Sequence, residues 1–347
     1  IEEAEAWRGL VEAETIFVGG GTPTHATPEQ LERYLVGVFA ALAPRSAAEI
    51  TVEANPGSVD TSKVAAMRRA GVNRVSMGAQ SFHAHHLEAL GRIHGVDDTA
   101  RSAEAVRAGG IPRLSLDLIL AVPNQTLDEQ ADDVARVLGL EPEHVSAYVL
   151  TYEEGTVFTK RMRQGRLPAP RPERGHAHLH LVCEQLARAG LTRYEISNFA
   201  RPGAESRHNL AYWRNVEWLG VGAGAHSHIA GRRWKNVDDP AGYAQRIARD
   251  GEAHTWHEQV EPVWQLFESL MMGLRLIEGV NLDELDARYG LDVRTEHAHA
   301  LARHVGAGFL ERDGAQLRLT SKGLDVANAV ITDFVPDAPA PETIHVS

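Results

Sequence analysis

Gly19-Gly20-Gly21-Thr22-Pro23, directly after the apolar run Thr15-Ile16-Phe17-Val18, is the stretch whose residue types speak most directly of chemistry. Successive glycines leave backbone N–H groups uncovered, which suits a small anionic or zwitterionic ligand. Turn chemistry alone accounts for such a run about as readily. Three more polar groups fall at or near the ends of apolar runs: Glu53 in Glu53-Ala54-Asn55-Pro56, Gln80 in Gln80-Ser81-Phe82, and Asp117 in Ser115-Leu116-Asp117-Leu118. Each taken alone could be a solvated strand-end group. Together they mark one rim, because in α/β barrels the chemistry gathers at the C-terminal ends of the strands.

The elements that must build this rim follow from periodicity. Strands are expected at Thr15 to Val18, Glu49 to Glu53, Arg74 to Gly78, Leu114 to Leu120 and His144 to Leu150. Amphipathic helices are expected between them, at Pro28 to Leu42, Ser62 to Ala70, Thr99 to Ala108 and Leu127 to Leu138, which makes the class α/β with a parallel sheet. Beyond residue 150 an Arg-, Pro- and Gly-rich linker, Lys160 to Arg174, precedes a helix, His178 to Ala189, and the strand-like Arg193 to Ser197. After Glu258 the pattern is mostly helical, with Val263 to Leu276, Leu282 to Arg288 and Glu296 to Val305, and closes on a hairpin, Phe309 to Leu319, and a helix from Ser321. That order predicts a small winged-helix-like domain. The Pro-rich tail from Pro336 shows no periodicity and is expected to be disordered.

Composition narrows the classes of function. The 347 residues carry 35 Lys and Arg against 47 Asp and Glu, a formal charge of -12, which disfavours a general nucleic-acid or anionic-membrane surface. No apolar run approaches the ~20 residues of a membrane helix, and no signal-peptide pattern opens the chain, so a cytoplasmic location is expected. Cys183 is the single cysteine, so these residues form no internal disulfide and no multi-cysteine metal site. The first residue, Ile1, stands inside what reads as a helix, so the sequence is expected to begin within a longer protein.

Phe17 to Pro23, Glu53-Ala54-Asn55-Pro56-Gly57, Gly71 to Phe82 and Leu90-Gly91-Arg92-Ile93-His94 resemble, in order and spacing, successive motifs of the radical S-adenosylmethionine (SAM) family of oxygen-independent coproporphyrinogen III oxidase. Tyr194 to Ala200 and Ser206-Arg207-His208-Asn209-Leu210-Ala211-Tyr212-Trp213 are similar to its heme-chaperone branch, HemW. The resemblance spans roughly residues 15 to 330. It implies a partial (β/α)6 radical SAM barrel lacking its first strand, divided as 1–160 for the barrel portion, 161–257 for an extension with the His-Asn-x-x-Tyr-Trp motif, 258–335 for the C-terminal domain and 336–347 for the tail. It further implies that Gly20, Gly21 and Thr22 meet the methionine end of SAM, that Arg92 clamps its carboxylate through charge-assisted hydrogen bonds, and that Glu53, Gln80 and Asp117 meet the ribose and neighbouring groups. In the same way His208, Asn209, Tyr212 and Trp213 are implied to bind heme, with His208 as the iron ligand.

The family's Cys-x-x-x-Cys-x-x-Cys segment, which holds a [4Fe-4S] cluster, is absent from these residues, and a missing first strand is expected to leave a neighbouring sheet edge open. Two functions stay open. One is a heme chaperone that passes heme to heme-requiring proteins, respiratory enzymes among them; the other is an oxygen-independent coproporphyrinogen III dehydrogenase. Three further features are expected to carry no site. Gly220 to Ala225 fits a loose dinucleotide fingerprint but no helix follows; His176, His178 and His180 lack a supporting carboxylate or cysteine; and Val280 to Asp325, with eight acidic and six basic residues, opposes DNA binding.

Overall fold

Strands flanked by helices are built from alternating positions, and here the alternation separates oil from charge. The computed structural model describes residues 1–346. Strands β1 (Thr15–Val18), β2 (Glu49–Ala54), β3 (Arg74–Gln80), β4 (Arg113–Leu120) and β5 (His144–Val149) pair in parallel in that order. Two short strands, β6 (Thr192–Arg193) and β7 (Asn198–Ala200), complete a sheet of order β1-β2-β3-β4-β5-β7-β6, with β7 antiparallel to β5. Val52, Val75, Met77, Leu114, Leu116, Leu118, Leu120, Val145 and Ala147 occupy one set of alternate positions and are fully buried. The other set carries Glu49, Thr51, Glu53, Arg74, Ser76, Ser115, Asp117, His144, Ser146 and Tyr148. Because successive side chains point to opposite faces, the sheet has one apolar and one polar face.

The sheet is open, with β1 and β6 at its edges, and does not close into a barrel. Among the described residues no strand pairs with the outer edge of β1. The helices between strands have readable ends. Asp60 caps Thr61–Ala70 by accepting from the Lys63 N–H, and Thr126 and Glu129 form a reciprocal capping box on Leu127–Gly139.

The chain divides into two compact units, one of residues 13–37 and 44–206, which holds this sheet, the other of residues 1–12, 38–43 and the chain from 207 on. The main division of the chain between the units falls at 206/207. The second unit contains an antiparallel sheet of β8 (His226–Ile229), β9 (Arg232–Asn236) and β10 (His254–Gln259). A smaller sheet is made of β11 (Val280–Asn281), β12 (Leu310–Asp313) and β13 (Gln316–Leu319), with helices Leu282–Tyr289 and Ala298–Gly306, as the winged-helix-like pattern predicts.

Three expectations are corrected. The tail from Pro336 is not without structure: β14 (Ile344–His345) pairs antiparallel with β10, and the Trp264 indole N–H donates to the Pro339 carbonyl at 2.7 Å. The linker at 160–174 holds the end of a helix, Val157–Arg163, and the start of another, Pro172–Arg188. Of Arg193 to Ser197 only Arg193 is in a strand, at the end of β6; Tyr194 to Ser197 connect β6 to β7, closed by the fully buried Glu195, which accepts from the Ser197 N–H and the Asn198 amide.

At the base of the polar face Arg74 is 2% exposed and Glu49 3%, with Nη1 3.3 Å from the Glu49 carboxylate and 3.2 Å from the Ala204 carbonyl. Removing one partner of such a pair strands a buried charge, at about 3–5 kcal/mol, while replacing both by apolar groups is often neutral. Glu49→Leu is therefore expected to lower unfolding stability by that amount, and Glu49→Leu with Arg74→Met to recover most of it. A denaturant titration in which the single variant lies within 1 kcal/mol of wild type, a threshold set well below that range, would show that the pair is not structural.

Candidate functional site

The rim expected from the glycine run exists, and its centre is a row of hydroxyl and carboxyl groups across four strands. Register places Glu53 of β2 beside Ser76 of β3, and Asp117 of β4 beside Ser146 of β5. The Ser76 hydroxyl lies 3.5 Å from Asp117 Oδ1. The glycines matter because Glu53 is seated against them: a Cβ on Gly19 would fall 2.6 Å from Glu53 Oε2, and the Gly20 N–H donates to the Glu53 carboxylate. Gly20 also takes φ +83, in the left-handed region that favours glycine. Asn55 donates to the Thr22 hydroxyl at 2.9 Å, which fixes the exit of the loop.

Burial pushes Asp117 up to about 6; hydrogen bonding from Ser146 opposes this, the neighbouring Glu53 carboxylate adds to it, and Ser76 opposes it. Burial raises Glu53 as well, against the Gly20 N–H. The Tyr148 phenol is raised by burial and by Asp117. Two carboxyls of one row, both held above their ordinary range, form a place that a cation or a pair of hydroxyl donors would relieve. Below them His144 is held neutral by burial and the nearby Arg74, with Nδ1 2.7 Å from the Ser115 hydroxyl and Nε2 2.9 Å from the Tyr194 hydroxyl.

Of the seven residues expected at SAM, the structure joins Gly20 and Glu53 directly and links Glu53 to Asp117 through Ser76 and their mutual field. Gln80 ends β3 at φ +64, largely buried, over Gly78, which has no room for a Cβ beneath the Gln80 amide. Gly21 is exposed. Arg92 is exposed and lines a separate pocket of ≈350 Å³ with Leu87, Glu88 and His94, whose Nε2 lies 3.3 Å from the Ala79 carbonyl of β3. Ser76, Ser146 and Tyr148 were not singled out from the sequence, although a polar residue at every second position of a strand was the available signal.

The motif helix Arg207–Trp213 belongs to the other unit. His208 is partly buried with its ring edge-on to Tyr212, 5.2 Å between centroids. Asn209 and Trp213 are likewise partly buried, the Trp213 indole nitrogen without a hydrogen-bond partner among the described residues. Tyr212 alone of the four reaches a cavity of ≈510 Å³, which it lines with Trp218, His226, Arg233, Trp256 and Glu258. This volume and aromatic lining fall within the ordinary range of ligand pockets.

The Gly220 to Ala225 run carries no nucleotide phosphate site. The Gly222 N–H donates at 2.7 Å to Glu3 of the first helix, which also accepts from Asn236 at 2.6 Å and the Tyr243 hydroxyl at 2.5 Å. Cys183 is partly buried.

A parallel sheet with its polar rim at the strand C-termini defines a radical SAM fold, and residues 1–137 match the radical SAM superfamily while 264–326 match the HemN C-terminal domain. Coproporphyrinogen III oxidase (HemN) from Escherichia coli, a radical SAM enzyme, superimposes with a TM-score of 0.81 over 96% of this chain and 81% of that one at 21% identity. The chain belongs to the HemW family: it is 36% identical to the heme chaperone HemW of Bacillus subtilis over 94% of this chain and 86% of that protein, and 34% identical to that of Escherichia coli over 94% and 85%. Residues 1–347 do not fit a [4Fe-4S] cluster, since Cys183 is their one thiol, and no step is derived through it. They do fit SAM, whose sulfonium, amino group and ribose hydroxyls match the raised carboxyls.

The elevated Asp117 has a consequence for stability. Its folded form holds a proton more tightly than the unfolded chain does, so its contribution is fully present below about pH 3.8 and is lost as the pH rises through about 6. Asp117→Asn is therefore expected to be more stable than wild type at pH 7 by about 1–2 kcal/mol, allowing for the residue's partial exposure, with no difference at pH 3.5. Denaturant midpoints at the two pH values check this, and a pH-independent difference would refute it.

Proposed function

We propose that the protein is a heme chaperone that takes up heme in the unit that contains the His-Asn-x-x-Tyr-Trp helix and passes it to heme-requiring proteins, respiratory enzymes among them, in the cytoplasm. The observation that carries this is the aromatic cavity joined by Tyr212 of the His-Asn-x-x-Tyr-Trp helix, because a porphyrin needs flat apolar walls and an imidazole within reach. The relatives from Bacillus subtilis and Escherichia coli, matched over most of both chains, bear the name heme chaperone, which supports the same reading. The dehydrogenase alternative has the fold likeness to coproporphyrinogen III oxidase in its favour, at 21% identity. No helix among the described residues is long and apolar enough to cross a membrane.

SAM is proposed to bind at the rim. The Gly20, Gly21 and Thr22 loop faces its methionine end, Glu53 and Asp117 accept from its amino and ribose groups, and Gln80 and Arg92 close the ends. When bound, SAM supplies a sulfonium cation, and the chain's own part is to hold and orient it and to relieve the two raised carboxyls. Arg92→Ala is expected to weaken SAM by about 1.5–3 kcal/mol in a calorimetric titration, the worth of a charged hydrogen bond. Unchanged affinity would leave Arg92 as a lining residue of its own pocket only.

Hemin titration followed by mixing with apomyoglobin tests the chaperone reading. One equivalent of hemin is expected to bind and then to move to apomyoglobin, read as growth of the holomyoglobin Soret band. Retention of hemin over hours, or decarboxylation of coproporphyrinogen III by the protein, would overturn it.

A further inference from the structure

The strand register in the second unit makes a pattern that the linear sequence hides. His226 of β8 lies opposite Lys235 of β9, which lies opposite Trp256 of β10. Two residues on, His228, Arg233 and Glu258 form a second row. Positions two apart share a face, and from the two rows His226, Trp256, Arg233 and Glu258 line the ≈510 Å³ cavity, together with Ser227 and Trp234. The His226 and Trp256 rings approach to 5.9 Å at 64°, leaning toward each other over Lys235. Tyr212 and Trp218, 5.1 Å apart, also line the cavity, with Trp218 beside β8 through its backbone bridge to His228.

Four histidines stand in or against the walls of this cavity, His254 against Trp234 among them, and the surroundings of the other three distinguish them. His208 is packed edge-on against Tyr212, which itself lines the cavity. His228 is fully buried beneath Trp218, 5.0 Å away at 72°. His226 lines the cavity and is exposed, so it is the imidazole placed to meet an incoming metal. The cations divide in the same way. Arg233 is held by Glu258 at 2.6 Å and Glu268 at 2.8 Å, a triad of net negative charge. Lys235 holds only the exposed Asp238 at 2.8 Å, the kind of surface pair that contributes little and is readily exchanged for another carboxylate.

We propose that His226 is the axial ligand of the iron in bound heme, with Trp256, Tyr212 and Trp218 as porphyrin walls and Lys235 as the partner of a propionate. This rests on the heme-chaperone reading and changes its residue assignment: the motif helix supplies a wall through Tyr212, and His208 positions that wall.

Hemin titration of wild type, His226→Ala, His226→Cys and His208→Ala tests the assignment, with melting temperatures to verify folding. His226→Ala is expected to lose the imidazole-ligated Soret band and to bind hemin at least tenfold more weakly, and added imidazole to restore the band. His226→Cys is expected to show a thiolate-ligated spectrum, which arises only if residue 226 touches iron. His208→Ala is expected to keep the wild-type band position. An unchanged band in His226→Ala, or no thiolate signature in a folded His226→Cys, overturns the assignment. If His208→Ala alone loses the band, the iron belongs to His208 and the chaperone reading stands. If wild type binds no hemin, both fall together.

Discussion

Arg74 carries its charge at the base of a sheet where almost no water reaches it. The Glu49 carboxylate and the Ala204 carbonyl keep it there, against a burial that pulls its pKa down. Everything on the polar face is stacked above that pair. Thr51 lies beside Arg74, and two residues further along the strands Ser76 lies beside Glu53, so the field that Asp117 and His144 experience includes Arg74 itself. A parallel sheet covered by helices on both faces could be apolar throughout. This one keeps its inner face polar, and the neutralised charge at its base is what lets that face hold two carboxyls near the rim.

The five parallel strands and the helices between them were legible in the sequence to within a residue or two, because burial on the helix-covered face writes a continuous apolar signal and caps such as Asp60 and Thr126 mark the helix starts. The rim carboxyls were legible as well. What escaped were single polar residues inside strands, such as Ser76, Ser146 and His144, which interrupt an apolar run without announcing a face. The cavity beside Tyr212 was harder still. It depends on the mutual register of β8, β9 and β10, and no local pattern specifies which residue of one strand lies opposite which of the next. The Pro-rich tail misled for the opposite reason: its two-residue strand β14 is held by pairing with β10 rather than by any propensity of its own.

The two glycine-rich runs do the same physical work in different units. At Gly19 the missing side chain admits Glu53, to which the Gly20 N–H donates; at Gly222 an N–H meets Glu3. In each case the anion that the exposed backbone attracts is a carboxylate of the same chain. A glycine run is thus a statement about close approach to an anion, and whether that anion is foreign or internal is decided elsewhere in the sequence.

The Glu3 contacts also impose a schedule. Its partners Gly222, Asn236 and Tyr243 lie 219 to 240 positions downstream. At roughly 5–20 residues per second of synthesis, the first helix emerges on the order of 10–50 seconds before the residues that satisfy it. During that interval the sheet of residues 13–206 can assemble first. The unit containing the aromatic cavity is therefore the last part of the chain to mature, and the nascent protein holds its rim strands before it has anywhere to put a porphyrin.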